Sequence, residues 1–215
     1  MTIRAFLGGS FDPMHSSHLA MAMSVHTTLY QATTNPISVS LMPTKGNPFK
    51  GKPTPDEHRL AMLRLATAGT PIGIETCELD RTPPIYTIDT VRLLRQTHPN
   101  DTLIFILGQD SLYGLPTWKD GDKILDFVNI WAFWRGDFDQ DDEFSPQVLA
   151  NLTFNLDKFL THQGMIYQDR TPITAMSSSQ IRTLIANKDP KASDHLPPKV
   201  ADYIHKNALY GETVL

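Results

Sequence analysis

The chain has 215 residues, 40% of them hydrophobic and 20% charged, with 19 Lys and Arg against 23 Asp and Glu for a formal net charge of −4. That length suits one substantial core, and the mixed, slightly acidic charge argues against a nucleic-acid coat or a membrane-surface protein, both of which carry a basic excess. A single cysteine, Cys77, allows no internal disulfide, and no run of eighteen apolar residues occurs, so a soluble, cytoplasmic protein is expected with no membrane and no nucleic-acid partner.

From the amino terminus, IRAFLG (3–8) is the first predicted strand and His18 to Gln31 the first helix. ISVSLM (37–42) is the second strand. TKGNPFKGKPTPDE (44–57) interleaves Pro, Gly and Lys and reads as an exposed loop leading into a helix over Pro55 to Ala68. IGIET (72–76) is the third strand, and Cys77 beside it reads as a packed thiol. A helix over Ile85 to His98 precedes the strand LIFILG (103–108), and one over Gly121 to Phe127 precedes NIWAFW (129–134). The acidic run RGDFDQDDEF (135–144) has Asp142 where a calcium loop needs glycine, and reads as a solvated loop. A long helix over Ser145 to Leu160, a weak strand near GMIYQ (164–168), and helices over Ser178–Asn187 and Pro197–Asn207 complete the chain. Strands alternating with helix-sized spacers predict an α/β fold: a doubly wound parallel sheet with helices on both faces and the strand carboxyl ends gathered along one edge.

GGSFDPMHSSHLA, between the first strand and the first helix, concentrates glycine, turn chemistry and imidazole. Gly8 and Gly9 let backbone amides approach a ligand, and Ser16 or Ser17 can cap the helix that follows. A helix amino terminus with free loop amides is a natural phosphate cradle. His15 and His18, three residues apart, lie roughly 60° apart around the helix axis, so both rings can reach one anion. Protonated, they would offset charge growing on a phosphate. Residue type and spacing alone also permit two surface histidines, or a metal pair with Asp12. The G-x-G-x-x-G and Walker patterns are absent.

This stretch resembles the G-G-[ST]-F-D-P-x-H-x-G-H-L signature of the nucleotidyltransferase superfamily, and more narrowly that of the bacterial nicotinate-nucleotide adenylyltransferases. PPIYTIDTVRLL (83–94), FILGQDSLYGLPTWKD (105–120), MSSSQIRTLI (176–185) and LPPKVADYIHKNALY (196–210) resemble further segments of that family in order and spacing. The resemblance implies a Rossmann-like form of the predicted fold, one domain over 1–215 with a small C-terminal helical extension, 177–215, closing over the ATP site. It departs from the family at Ser17, where the signature has glycine, at Phe49, where a Pro-Pro-His-[Lys/Arg] loop has histidine, and at WRG (134–136), where Arg-Pro-Gly is common. Lys45, Lys50 or Lys52 could compensate for the missing histidine.

What the resemblance implies for function is adenylyl transfer from ATP to nicotinate mononucleotide, with Mg2+ carried on the triphosphate and no protein metal ligand. Gly8, Gly9, Ser10, Phe11, Gly108 and Arg135 are then expected at ATP, with His15, His18 and Arg182 catalytic and Ser178 and Ser179 at the phosphates. Lys45, Tyr86, Thr87, Asp110 and Trp118 are expected at the mononucleotide, with Trp118 stacking on its ring. Simple capping by Ser177 or Ser178 and core packing by Trp118 are the plain alternatives. Nicotinamide mononucleotide or another phosphate acceptor, and a non-catalytic nucleotide sensor, are the competing readings of the whole. Assembly into a homo-oligomer is left open.

Overall fold

In a computed structural model, residues 1–46, 53–134, 144–174 and 176–211 are described. Seven parallel strands form one sheet: β1 (Ile3–Gly9), β2 (Ile37–Pro43), β3 (Ile72–Ile74), β4 (Thr102–Gly108), β5 (Asn129–Phe133), β6 (Leu152–Thr153) and β7 (Ile166–Asp169). Their order is β3-β2-β1-β4-β5-β7-β6, and every pairing is parallel. The helices are α1 (Ser16–Ala32), α2 (Asp56–Thr67), α3 (Thr87–Thr97), α4 (Gln109–Gly114), α5 (Pro146–Asn151), α6 (Leu156–Thr161), α7 (Ser178–Ala186) and α8 (Pro198–Lys206). No described helix is long and apolar enough to cross a membrane.

The two-residue period of the strands builds two cores. Ala5 and Leu7 of β1 and Ile104 and Ile106 of β4 join Val25 and Leu29 of α1, with residues of α2, α7 and α8, on one face. Phe6, Leu103, Phe105 and Leu107 meet Ile88, Val91 and Leu94 of α3 and parts of α4 and α5 on the other. Each of these buried aliphatic side chains contributes about 1.5–3 kcal/mol relative to exposure, which is why the strands read as continuous apolar runs. The predicted doubly wound α/β sheet is the observed one.

Two expected helices differ. The segment predicted as a helix over 145–160 splits into α5, the short β6 and α6. Leu152 and Thr153 pair with Ile166 and Tyr167 of β7, and Asn155 starts α6 afresh by accepting the Lys158 amide at 2.9 Å. β-branched Thr153 between two asparagines favours that break. Residues Gly121–Asp126 form a 3₁₀ helix, not an α-helix. The short α4 was not anticipated.

The chain moves outward from β1 through β2 to β3, then returns to lay β4 on β1's other side. A crevice opens where such a reversal occurs, beyond the carboxyl ends of the two strands. Gly8 and Gly9 end β1 and Gly108 ends β4, at that point.

Candidate active site

The glycines at the crevice have a packing reason. A Cβ on Gly8 would lie 2.8 Å from the Phe105 ring, and one on Gly9 would lie 3.2 Å from the Phe11 ring. Phe11 itself is fully buried in a left-handed conformation (φ 49). Its ring sits edge-on beneath His18, with centroids 4.9 Å apart. Phe11 therefore supports the histidine from below and is not among the residues lining the cleft, where the sequence had placed it at ATP.

His15 is the N-cap residue of α1 and is 3% exposed. Its ring stacks on that of His18 at a centroid distance of 3.6 Å. The His15 backbone amide donates to His18 Nδ1 at 3.4 Å, which leaves the ring proton of neutral His18 on Nε2 as its donor. Burial, and then the neighbouring His195, bring His15 down to about 4. Burial, then the His15 ring, hold His18 well below the ordinary histidine range. Both rings are thus neutral N–H donors at pH 7. Neutral donation, not the protonated form that the sequence also allowed, is the resting state, because two stacked cations out of water would repel.

The amino terminus of α7 faces this pair. Ser177 is the N-cap, its hydroxyl accepting the Gln180 amide at 3.2 Å while Gln180 Oε1 accepts the Ser177 amide at 2.9 Å. This capping box leaves Ser178 and Ser179 as the first two helical residues, with backbone donors that have no partner in the helix. The Ser178 hydroxyl donates to the Pro13 carbonyl at 3.0 Å. One turn on, Arg182 donates from Nη1 to the Asp12 carbonyl and from Nη2 to Ser179 Oγ at 3.1 Å.

These groups surround a cleft of about 590 Å³. Gly8, Gly9, Ser10, His15 and His18 line one side; Ser178, Ser179 and Arg182 line another; Gly108 and Asp110 close it at β4. The remaining predicted residues fall elsewhere. The Lys45 ammonium is engaged with Asp56 at 2.8 Å, although its neighbours Thr44 and Gly46 line the cleft. Tyr86 and Trp118 pack against the α3-side core, and the Lys119 ammonium lies 4.3 Å over the Tyr86 ring, so the Trp118 turn and the start of α3 are adjacent. Tyr86 is the N-cap residue of α3 and Thr87 its first residue. Arg135, with Phe49, Lys50 and Lys52, lies outside the described residues. Cys77 is half-buried, its thiol 3.8 Å from Met42 Sδ and pushed up to about 12 by burial, Glu75 and Glu78. It is an inert packed thiol, as its sequence context suggested.

Comparison with known proteins agrees with this arrangement. Residues 6–184 match the cytidylyltransferase-like family model. Over 210 residues the chain is 37% identical to the probable nicotinate-nucleotide adenylyltransferase of Aeromonas salmonicida, spanning 95% of each chain. Over 207 residues it is 35% identical to the nicotinate-nucleotide adenylyltransferase of Bacillus subtilis, spanning 94% of this chain and 95% of that one. The chain belongs to the cytidylyltransferase-like family, among the nicotinate-nucleotide adenylyltransferases. It is a nucleotidyltransferase. Its fold matches that of Plasmodium falciparum nicotinic acid mononucleotide adenylyltransferase complexed with NaAD, at a TM-score of 0.76 and 20% identity over 100% of both chains. The same Plasmodium protein complexed with APC matches at 0.74.

Within this family frame, Ser17 fits without distortion. It is buried, and its hydroxyl donates to the Thr174 carbonyl at 2.8 Å, tying α1 to the segment that enters α7. Two residues of the site escaped the sequence reading. Arg59 is fully buried and donates to the Ser10 carbonyl at 2.8 Å, the Thr54 carbonyl at 3.1 Å and the Asp56 carboxylate. Its spacing from Met62, Leu63 and Ala66, all buried, places it on the apolar face of α2, a signal that was available. Tyr210, at the end of the family-like segment 196–210, lines the cleft, a placement not assigned to it from sequence.

Proposed function

We propose that this protein transfers the adenylyl group of ATP to nicotinate mononucleotide, releasing pyrophosphate and forming nicotinate adenine dinucleotide in NAD biosynthesis. Full-length kinship to the Aeromonas and Bacillus enzymes supports this reading. The observation that carries it is one cleft at the β1–β4 reversal on which a stacked histidine pair, a glycine strand end and a helix amino terminus converge. Among the described residues these are donors without a catalytic carboxylate–histidine–nucleophile set, which is what transfer between phosphates requires.

A mononucleotide phosphate oxygen forms a bond to the α-phosphorus of ATP. The bond from that phosphorus to the α,β-bridging oxygen breaks, and pyrophosphate leaves with the electron pair. The nucleophile is already anionic at neutral pH, so no general base is needed. Gly8, Gly9 and Ser10 receive nucleotide phosphates through backbone and hydroxyl donors. His15 and His18 donate to the inner phosphates and stabilise the charge that grows as pyrophosphate departs. The α7 terminus adds the Ser178 and Ser179 amides and the Arg182 guanidinium. Residues 177–215 act as the closing part of a single functional unit, 1–215.

Nucleotidyltransferases work on ATP together with a divalent cation, here assigned as Mg2+. Among the described residues no three His, Cys, Asp or Glu side chains group to hold a metal. The cleft's Asp12 carboxylate is occupied by the Tyr210 hydroxyl and the Thr54 amide. The residues therefore fit a cation held by phosphate oxygens, supplying charge neutralisation to the leaving group. For the acceptor, Tyr86 and Thr87 at the start of α3 offer backbone donors to a carboxylate, Trp118 a stacking face, and Asp110 an acceptor for a ribose hydroxyl. Donors alone select the acid over the amide.

The test is pyrophosphate release from ATP with nicotinate or nicotinamide mononucleotide in parallel, with the product identified by mass. At least tenfold higher kcat/KM for the acid is expected. Preference for the amide, or ATP binding without pyrophosphate release, would overturn the assignment.

A further inference from the structure

We infer that Tyr210 is a positioning residue for the phosphate site: its hydroxyl holds Asp12, and Asp12 in turn holds Arg182. The inference rests on the assignment of Arg182 to the ATP phosphates.

Asp12 is 8% exposed and joins three distant parts of the chain. One carboxylate oxygen accepts the Tyr210 hydroxyl at 2.7 Å, and the other accepts the Thr54 amide at 3.1 Å. Its backbone carbonyl accepts the Arg182 guanidinium. Hydrogen bonds to an ionised carboxylate are short and roughly twice as strong as neutral ones. Two of them fix the Asp12 side chain, and through it the peptide that orients Arg182. Burial and the adjacent carboxylate raise the phenol well above its ordinary range, so Tyr210 remains a donor at physiological pH.

The backbone shows a cost accepted for this contact. Tyr210 stands at φ 62, in the left-handed region that a non-glycine residue rarely occupies. Its ring packs against the α1-side core while its hydroxyl reaches into the cleft. Packing alone would be served by phenylalanine. The hydroxyl is the part that addresses Asp12.

Tyr210→Phe keeps the packed ring and removes only that donor. Calorimetric titration of the intact protein with ATP and, by competition, with adenosine separates positioning from general support. Expected is a loss of ATP affinity of about fivefold or more, with adenosine affinity within twofold of wild type, because Arg182 addresses phosphates. Unchanged ATP affinity, or equal losses for both ligands, overturns the inference. Arg182→Ala is titrated alongside. If it binds ATP as wild type does, the assignment of Arg182 fails and the inference with it. If wild type binds ATP normally yet makes no dinucleotide, the proposed reaction fails while the role of Tyr210 in ATP binding stands.

Discussion

Replacing Arg59 with methionine tests whether the floor of the cleft is held from beneath by a buried guanidinium. Methionine fills much of the arginine stem's volume, so the loss is mainly of donors. Three acceptors are affected: the carbonyls of Ser10 and Thr54 and the carboxylate of Asp56. A buried acceptor left unpaired costs about 1–3 kcal/mol. Ser10 and Thr54 line the cleft, where water can reach them, so the lower half of that range applies to each. Asp56 is 32% exposed and keeps its bond to Lys45, so its loss adds less than about 1 kcal/mol. The sum is a destabilisation of about 2–5 kcal/mol, read from urea unfolding midpoints at unchanged slope. Because Ser10 and Thr54 frame the cleft, KM for ATP should rise as well. Arg59→Lys should recover less than half of the stability, since an ammonium cannot reproduce a fork that serves three acceptors. A loss below about 1 kcal/mol with KM unchanged would refute this account.

His18→Ala should lower kcat at least ~100-fold in the pyrophosphate assay without loss of fold, in line with removal of a transition-state donor; activity within tenfold of wild type would refute the role. For His15, the folded value of about 4 lies below the ordinary 6.5 of an unfolded chain. Its contribution to stability is therefore complete above pH 6.5, declines as pH falls, and levels off below about 4, a total of roughly 3 kcal/mol. Urea unfolding across that range should show the decline, and His15→Gln should reduce it, leaving the part that the still-buried His18 contributes. Gly8→Ala should cost about 1–3 kcal/mol by driving a methyl into the Phe105 ring, 2.8 Å away. A second substitution, Phe105→Leu, should recover part of the lost melting temperature.

What could be read from sequence was what local chemistry dictates. Leu103 to Leu107 announced a doubly covered strand because alternate residues feed two cores. The serines before Gln180 announced α7 because an N-cap is a local device, and the structure makes Ser177 that cap. The glycines and histidines before α1 marked the crevice. The misses share a physical cause, which is contact between remote segments. Leu152 and Thr153 abandoned a helix because β7 offered a ladder. Lys45 turned to Asp56, a residue on the next helix. Phe11 carries an aromatic ring in a ligand-binding signature, yet that ring is a prop under His18. The desolvation that keeps the histidines neutral depends on the whole fold, and the role of Tyr210 is not local because its partner lies 198 positions away.

That last separation bears on how the molecule comes into being. Asp12 emerges in synthesis 198 residues before Tyr210, with α7 and Arg182 between them. A growing polypeptide can therefore lay down most of its sheet while its nucleotide mouth still lacks one wall. The last of its polar partners is in place only when the segment around residue 210 docks. Truncation just short of that point would leave a chain largely folded and poorly able to hold its nucleotide.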